Sequence, residues 1–188
     1  MNSKATNLSN HFLIAMPKLM DINFSQSVTY ICEHDENGAL GITINRPADV
    51  KLSELFNHLD IVSVDEKISQ QTIFLGGPVQ IDRGFLLHTP GGSWDSSLKV
   101  TDTLSVTTSR DILNAIALGQ GPDEVIIALG YAGWAGGQLE AEISANAWLS
   151  CPANEEILFH TPAEQCWQKA AQLMGVDLTL LSHDAGHA

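Results

Sequence analysis

Positive charge is what this chain has least of. Lys and Arg total 9 against 22 Asp and Glu, a formal charge of −13 over 188 residues, and the arginines are Arg46, Arg83 and Arg110 alone. A field of that sign repels phosphate backbones and anionic bilayers. No basic run overrides it locally, so direct nucleic-acid contact is not expected. Cysteine is scarce too. Cys32, Cys151 and Cys166 are scattered, with no CxxC and no zinc-ligand spacing. An odd count in a domain of this size argues against a disulfide framework and for reduced thiols, as in a cytosol. Long apolar runs are missing as well. Phe12–Met16 is short and Pro17 ends it, so neither an export signal nor a spanning helix is expected.

What remains has a globular profile, 44% hydrophobic and 16% charged. A chain of this length suits one domain and buries roughly 70% of the surface its unfolded form exposes, so its core needs neither metal nor disulfide. Residues 1–10 are polar and read as a loose tail, leaving 11–188 as a single domain.

Hydrophobic periodicity outlines the elements. His11–Met16 reads as a strand. Ser27–His34 and Ala39–Asn45 are β-rich segments around Asn37-Gly38, a strong hairpin signal. Leu52, Leu55, Phe56 and Leu59 fall at helical spacing. Thr72–Leu75, Gly84–Thr89 and Thr103–Thr108 read as strands, and a helix capped by Thr108 or Ser109 runs to Gly119. Val125–Leu129 is continuously apolar, as in a strand covered on both faces. Gly130, Gly133, Gly136 and Gly137 read as a glycine-rich turn before a helix from Gln138 to Leu149. Ile157–Phe159 reads as a short strand, and Thr161-Pro162-Ala163-Glu164 opens a last helix ending at Gly175. Hairpins first and strand–helix alternation later predict an α/β fold whose mixed sheet is bent or partly closed and surrounded by helices.

Several groupings bear on chemistry. The Leu129–Glu142 segment places a glycine-rich turn before a helix and could cradle an anion on backbone N–H groups. Its spacing is neither GxGxxG nor a P-loop, and Glu140 and Glu142 would repel phosphate; the alternative is that the glycines let the chain pass close to Tyr131 and Trp134. Cys32 and His34, two apart on a strand, share a face and suggest a thiol–imidazole pair; the alternative is a buried apolar thiol. Arg83 and His88 flank an apolar run and, with Gly76-Gly77, could hold a carboxylate or phosphate; the alternative is an arginine paired with one of many carboxylates. His183 and His187 are four apart, a metal spacing on a helix, but they sit in a segment that reads as a frayed end. No GxSxG, no HExxH and no assembled triad is legible.

The runs FLIAMP (Phe12–Pro17), SVTYICEH (Ser27–His34), GGPV (Gly76–Val79), RGFLLH (Arg83–His88), TTSRDIL (Thr107–Leu113) and GYAGWAGGQLEAEISANAWL (Gly130–Leu149) resemble, in order, the YqgE/AlgH family of bacterial proteins. The resemblance extends to Trp167 and the closing Gly186-His187-Ala188. It implies a compact α/β fold with a bent, partly barrel-like sheet surrounded by helices, in a cytosolic bacterial protein. It brings no established catalytic residue set; one branch of the family is named as a transcriptional regulator of alginate production.

The expectation is therefore a cytoplasmic, non-catalytic binding or regulatory protein, with no cofactor or metal, that engages a protein partner or small ligand near Gly76, Gly77, Arg83, His88, Trp134 and Gln138. Two alternatives stand beside it. One is an enzyme for a small anionic substrate, with Arg83 binding charge and His88 or Cys32 carrying the chemistry. The other is a direct DNA-binding regulator.

Overall fold

The computed structural model describes residues 6–181. Strands β1 (His11–Ala15), β2 (Val28–Asp35), β3 (Gly38–Thr43) and β4 (Pro47–Lys51) lead into helices α1 (Leu52–His58) and α2 (Glu66–Ser69). Strands β5 (Thr72–Leu75), β6 (Val79–His88), β7 (Ser97–Lys99) and β8 (Ser105–Thr107) precede helix α3 (Arg110–Ala117). Then come β9 (Val125–Ala135), α4 (Gln138–Ser144), β10 (Trp148–Pro152), a π-helical turn (Glu156–His160), α5 (Ala163–Gln172) and α6 (Leu178–Leu181). The strands form one curled sheet in the order β10-β1-β2-β3-β9-β6-β8-β7, with β4 and β5 attached beside β9. Pairing is antiparallel except where β5 runs parallel to β9, Phe74 opposite Ala128. This is the mixed α/β architecture with a half-barrel sheet that the sequence predicts.

The sheet curls because β9 is long and kinked. Val125–Leu129 pairs with β6, and the same strand continues through Ala132–Ala135 to pair with β3. Of the glycines expected to form a turn after Leu129, Gly130 and Gly133 lie inside this strand, and only Gly136-Gly137 make the turn into α4. Gly130 takes φ 73°, a left-handed position that breaks the pleat at the bend. There the backbone crosses so closely that a Cβ on Gly130 would lie 2.4 Å from the Gly77 carbonyl oxygen, and one on Gly76 would lie 2.3 Å from that of Gly130. The Gly76-Gly77 pair is thus a crossing point between β5, β6 and β9.

Three apolar clusters fill the two faces of the sheet. Tyr30, Ile42, Leu87 and Ile126 anchor the first, on which α5 packs through Cys166, Ala170 and Ala171. Leu52, Phe56, Leu86, Ile112, Ile116 and Ile127 form the second, beneath α1 and α3. Neighbouring Ile126 and Ile127 thus serve opposite layers, as the unbroken apolar run predicts. Leu8, Ile31, Ala132, Trp134, Leu139 and Trp148 make the third, under α4.

Other departures have local causes. The helix predicted over 138–149 stops at Ser144, because Asn146 adopts φ 56° and Trp148–Pro152 peels off as an edge strand against β1. The strand predicted at Ile157–Phe159 is the π-helical turn, pinned by the Asn154 side chain accepting from Ile157 N–H. The capping box predicted at Thr161 does not form; the Thr161 hydroxyl donates to the Glu156 carbonyl instead. Residues 8–10 are not loose: Leu8 is buried, and the Asn10 N–H donates to the Ile31 carbonyl at 2.8 Å. His183 and His187 lie outside the described residues.

Candidate functional site

The residues singled out in the sequence do not converge on one place. Gly76 and Gly77 are occupied by backbone, as above, and offer no open cradle. Trp134 and Gln138 belong to a polar network on α4. Trp134 and Trp148 both donate their indole N–H to Glu142 Oε2 at 2.9 Å, and Gln138 Nε2 donates to Glu142 Oε1. Gln138 Oε1 also accepts the Ala135 N–H, tying the start of α4 to the end of β9. Both indoles are buried and pack edge-on against each other and around Phe24. Trp134 is therefore an interior strut, and Gln138, exposed at the start of α4, is engaged in bracing it.

Cys32 and His34 do not share a face. A β-bulge between Ile31 and Glu33 shifts the register. Cys32 turns into the first apolar cluster, while His34 turns towards α4 and donates from Nε2 to Glu140 at 2.9 Å. The Leu8 N–H donates to its Nδ1 at 3.0 Å, which fixes that tautomer. Burial pushes the Cys32 thiol far above its ordinary value, with the Glu33 charge adding to the shift. Burial likewise raises Cys151 and pushes Cys166 up to about 11. None of these buried thiols is primed as a nucleophile, which removes the thiol version of the enzyme reading.

Each arginine is committed internally. Arg46 donates to the Ile22 and Ser25 carbonyls, and Arg110 to the Leu59 carbonyl. Arg83 lies over the Phe85 ring at 5.6 Å and donates to Gln80 and to Thr108 Oγ1 at 3.1 Å. Its partners are neutral rather than the carboxylate expected.

His88 is different. Strand β6 ends on it, and β8 and β7 are laid alongside so that Thr107 faces Leu86 across one ladder and Ser97 across the next. Paired strands share their side-chain direction, so His88, Thr107 and Ser97 gather on one face. His88 Nδ1 lies 2.8 Å from the Thr89 carbonyl, which only accepts, so Nδ1 carries the ring proton and Nε2 is an acceptor. Nε2 lies 2.8 Å from Thr107 Oγ1, and the Thr107 hydroxyl donates to it. Thr107 Oγ1 in turn lies 2.6 Å from Ser97 Oγ. Two hydroxyl oxygens that close must share a proton, and Thr107 has already given its own to His88. The shared proton is therefore Ser97's, and the Trp94 carbonyl 3.2 Å from Ser97 Oγ is only a secondary acceptor. Burial of the ring pulls the His88 pKa below the ordinary imidazole range, against the opposing effect of the Thr89 bond. The imidazole is neutral at pH 7.

This relay opens on a cleft of about 320 Å³ lined by His88, Trp94, Ser97, Lys99, Asp102 and Ser105, among others. The Trp94 ring stands edge-on to His88 at 5.0 Å. It can fold back against its loop only because Gly92 lacks a Cβ, which would lie 2.6 Å from the indole. Lys99 Nζ meets Asp102 at 2.7 Å at the exposed rim. Sequence reasoning found His88 and missed Ser97, Thr107 and Trp94, because β7 is only three residues long and lies in a segment that reads as loop. Among the described residues, no group of three His, Cys, Asp or Glu side chains is placed to hold a metal, and no helix is long and apolar enough to cross a membrane.

The kinked antiparallel half-barrel, closed by helices and carrying a polar cleft at its β7 edge, defines the class: a mixed α/β protein of curled-sheet type. The chain belongs to the AlgH-like family, whose model matches residues 12–179. It is 58% identical to a UPF0301 protein of Thioalkalivibrio sulfidiphilus over 98% of both chains. It is 52% identical to one of Nitrosococcus oceani over 95% of this chain and 96% of that one. The solution structure of the AlgH protein from Pseudomonas aeruginosa superposes with a TM-score of 0.80 at 50% identity, covering all of both chains. A crystal structure of a Corynebacterium diphtheriae protein, 22% identical, shares the fold with a TM-score of 0.70 over 96% of this chain and 94% of that one.

Proposed function

We propose that this protein works by binding a small polar molecule in the cleft between β7 and the Pro90–Trp94 loop. The observation that carries the reading is convergence: an aromatic wall, a neutral imidazole, several hydroxyls and a lysine line one recess of metabolite size. Trp94 would stack on an apolar face of the ligand, and Ser97, Ser105 and Lys99 would answer its oxygens. This moves the expected site away from Gly76-Gly77 and Trp134, which serve packing.

A regulatory role would then run through the bound molecule or a protein partner. A chain of charge −13 whose three arginines are spent on its own backbone and side chains has little with which to grip a phosphate backbone. The three unpaired, buried thiols support a reducing compartment for this activity.

The test is native mass spectrometry of the protein purified from its own source. A retained small molecule that is lost in Trp94→Ala and Lys99→Ala, and kept in Arg83→Ala, supports the cleft. No retained molecule, or one lost only in Arg83→Ala, refutes it.

A further inference from the structure

Beyond holding a ligand, the cleft contains a hydroxyl arranged for reaction. We propose that Ser97 is a covalent nucleophile that takes up the acyl group of a small carboxylic ester bound in this cleft, with Thr107 and His88 accepting its proton in relay. The inference rests on the binding reading for the substrate's location, and on separate observations for the chemistry.

Four observations converge. Ser97 is exposed while Thr107 and His88 behind it are buried, so a reagent entering the cleft meets the serine first. The hydrogen-bond directions are fixed by the Thr89 carbonyl and run one way, from Ser97 through Thr107 to His88 Nε2. The base at the end of the relay is oriented by an acceptor on its far nitrogen, the role a carboxylate fills in a hydrolase triad. The base is also neutral at pH 7, as a proton acceptor must be. A purely structural hydroxyl pair would not require a buried, uncharged imidazole at its end.

The step balances within the residues named. Ser97 Oγ attacks the ester carbonyl carbon. The new Oγ–C bond forms, and the C–O bond to the leaving group breaks with its electron pair. The Ser97 proton passes to Thr107 Oγ1 as the Thr107 proton passes to His88 Nε2. The imidazolium so formed returns its Nε2 proton to Thr107 Oγ1 as the Thr107 hydroxyl hands its own proton to the departing alkoxide, so the relay runs back the way it came. Lys99, on the cleft rim, is the nearby cation for the charge that develops on the carbonyl oxygen. Ser97 touches the reacting carbon; Thr107 and His88 act through it.

The experiment uses the full chain with p-nitrophenyl acetate, following p-nitrophenolate release by absorbance and locating acetyl groups by peptide mass spectrometry. Acetylation is expected on Ser97, and roughly a hundredfold slower in Thr107→Val and His88→Gln. In wild type the rate should rise with pH and level off below the ordinary imidazole range, a profile His88→Gln should lack. Acetyl groups only on lysines, or Ser97 acetylated at an unchanged rate in both variants, overturns the proposal. Should either variant fail to fold, the imidazole 15N shifts of wild type decide: a protonated Nε2 on His88 breaks the relay. A ligand retained in the cleft beside an inert Ser97 sinks this inference alone. An acetylated Ser97 with no retained ligand sinks the binding reading alone.

Discussion

Replacing Glu142 separates the interior network on α4 from a surface one. One oxygen of this carboxylate accepts both indole N–H groups, from Trp134 and Trp148, and the other accepts from Gln138. Both rings are buried, at 6% and 3% exposure, so neither N–H gains water when its acceptor goes. In Glu142→Ala each orphaned donor costs about 1–2 kcal/mol, for a total of about 2–4 kcal/mol. For a chain of this size that is a drop in Tm of roughly 5–15 °C. Glu142→Gln keeps an oxygen for the indoles and turns its amide NH2 on that of Gln138, so it should lose only about 1 kcal/mol. Urea titration followed by tryptophan fluorescence measures both, since two of the four tryptophans report directly. The m-value should stay constant, because the exposed area of the unfolded chain is unchanged. Equal effects of the two substitutions, or an Ala variant within about 0.5 kcal/mol of wild type, would refute the interior assignment of Trp134.

Other outcomes follow from the same geometry. Gly77→Ala places a Cβ 2.1 Å from the Tyr131 carbonyl carbon, and should leave no soluble folded protein on expression at 37 °C. Cys32, fully enclosed with its thiol pKa raised, should react with a thiol reagent at neutral pH only after denaturant is added. Because the folded pKa of His88 is lowered, the unfolded chain binds the extra proton first as pH falls. The His88 contribution is therefore complete above about 6.5 and lost towards the folded pKa below it. The difference in stability between wild type and His88→Gln should shrink across that window, by urea titration at several pH values. Duplex DNA should show no retention by the protein in a mobility shift at low salt, where counterion release favours binding most.

The sheet was largely legible from the sequence because its strands carry clear patterns: the hairpin around Asn37-Gly38, the apolar run at 125–129 and the helical spacing of Leu52, Leu55 and Phe56. Short edge strands were not. Ser97–Lys99 is polar, exposed and three residues long, and only its partner β8 makes it a strand. Trp148–Pro152 continues a plausible helical pattern, and the competition was decided by a left-handed Asn146 and by the free edge of β1. Gly130 misled for a related reason, while Gly136-Gly137 form the expected turn: a strand that must cross another backbone within van der Waals contact needs the same residue as a turn. The site was half visible. His88 stood out as a histidine at a strand end. The bulge that turns Cys32 from His34, and the registry that puts Ser97 in front of Thr107, are properties of pairing that a single strand does not carry.

The kink in β9 also governs the order in which the protein can be made. Strand β3 borders β2 on one side and waits for residues 132–135 on the other; β6 waits for the same strand. During synthesis the first hundred or so residues leave the ribosome with these edges bare, and bare edges pair with other chains. A nascent chain stalled before Val125 should thus be prone to aggregate and to need a chaperone. Release of Ala135 would zip the two halves together in one step.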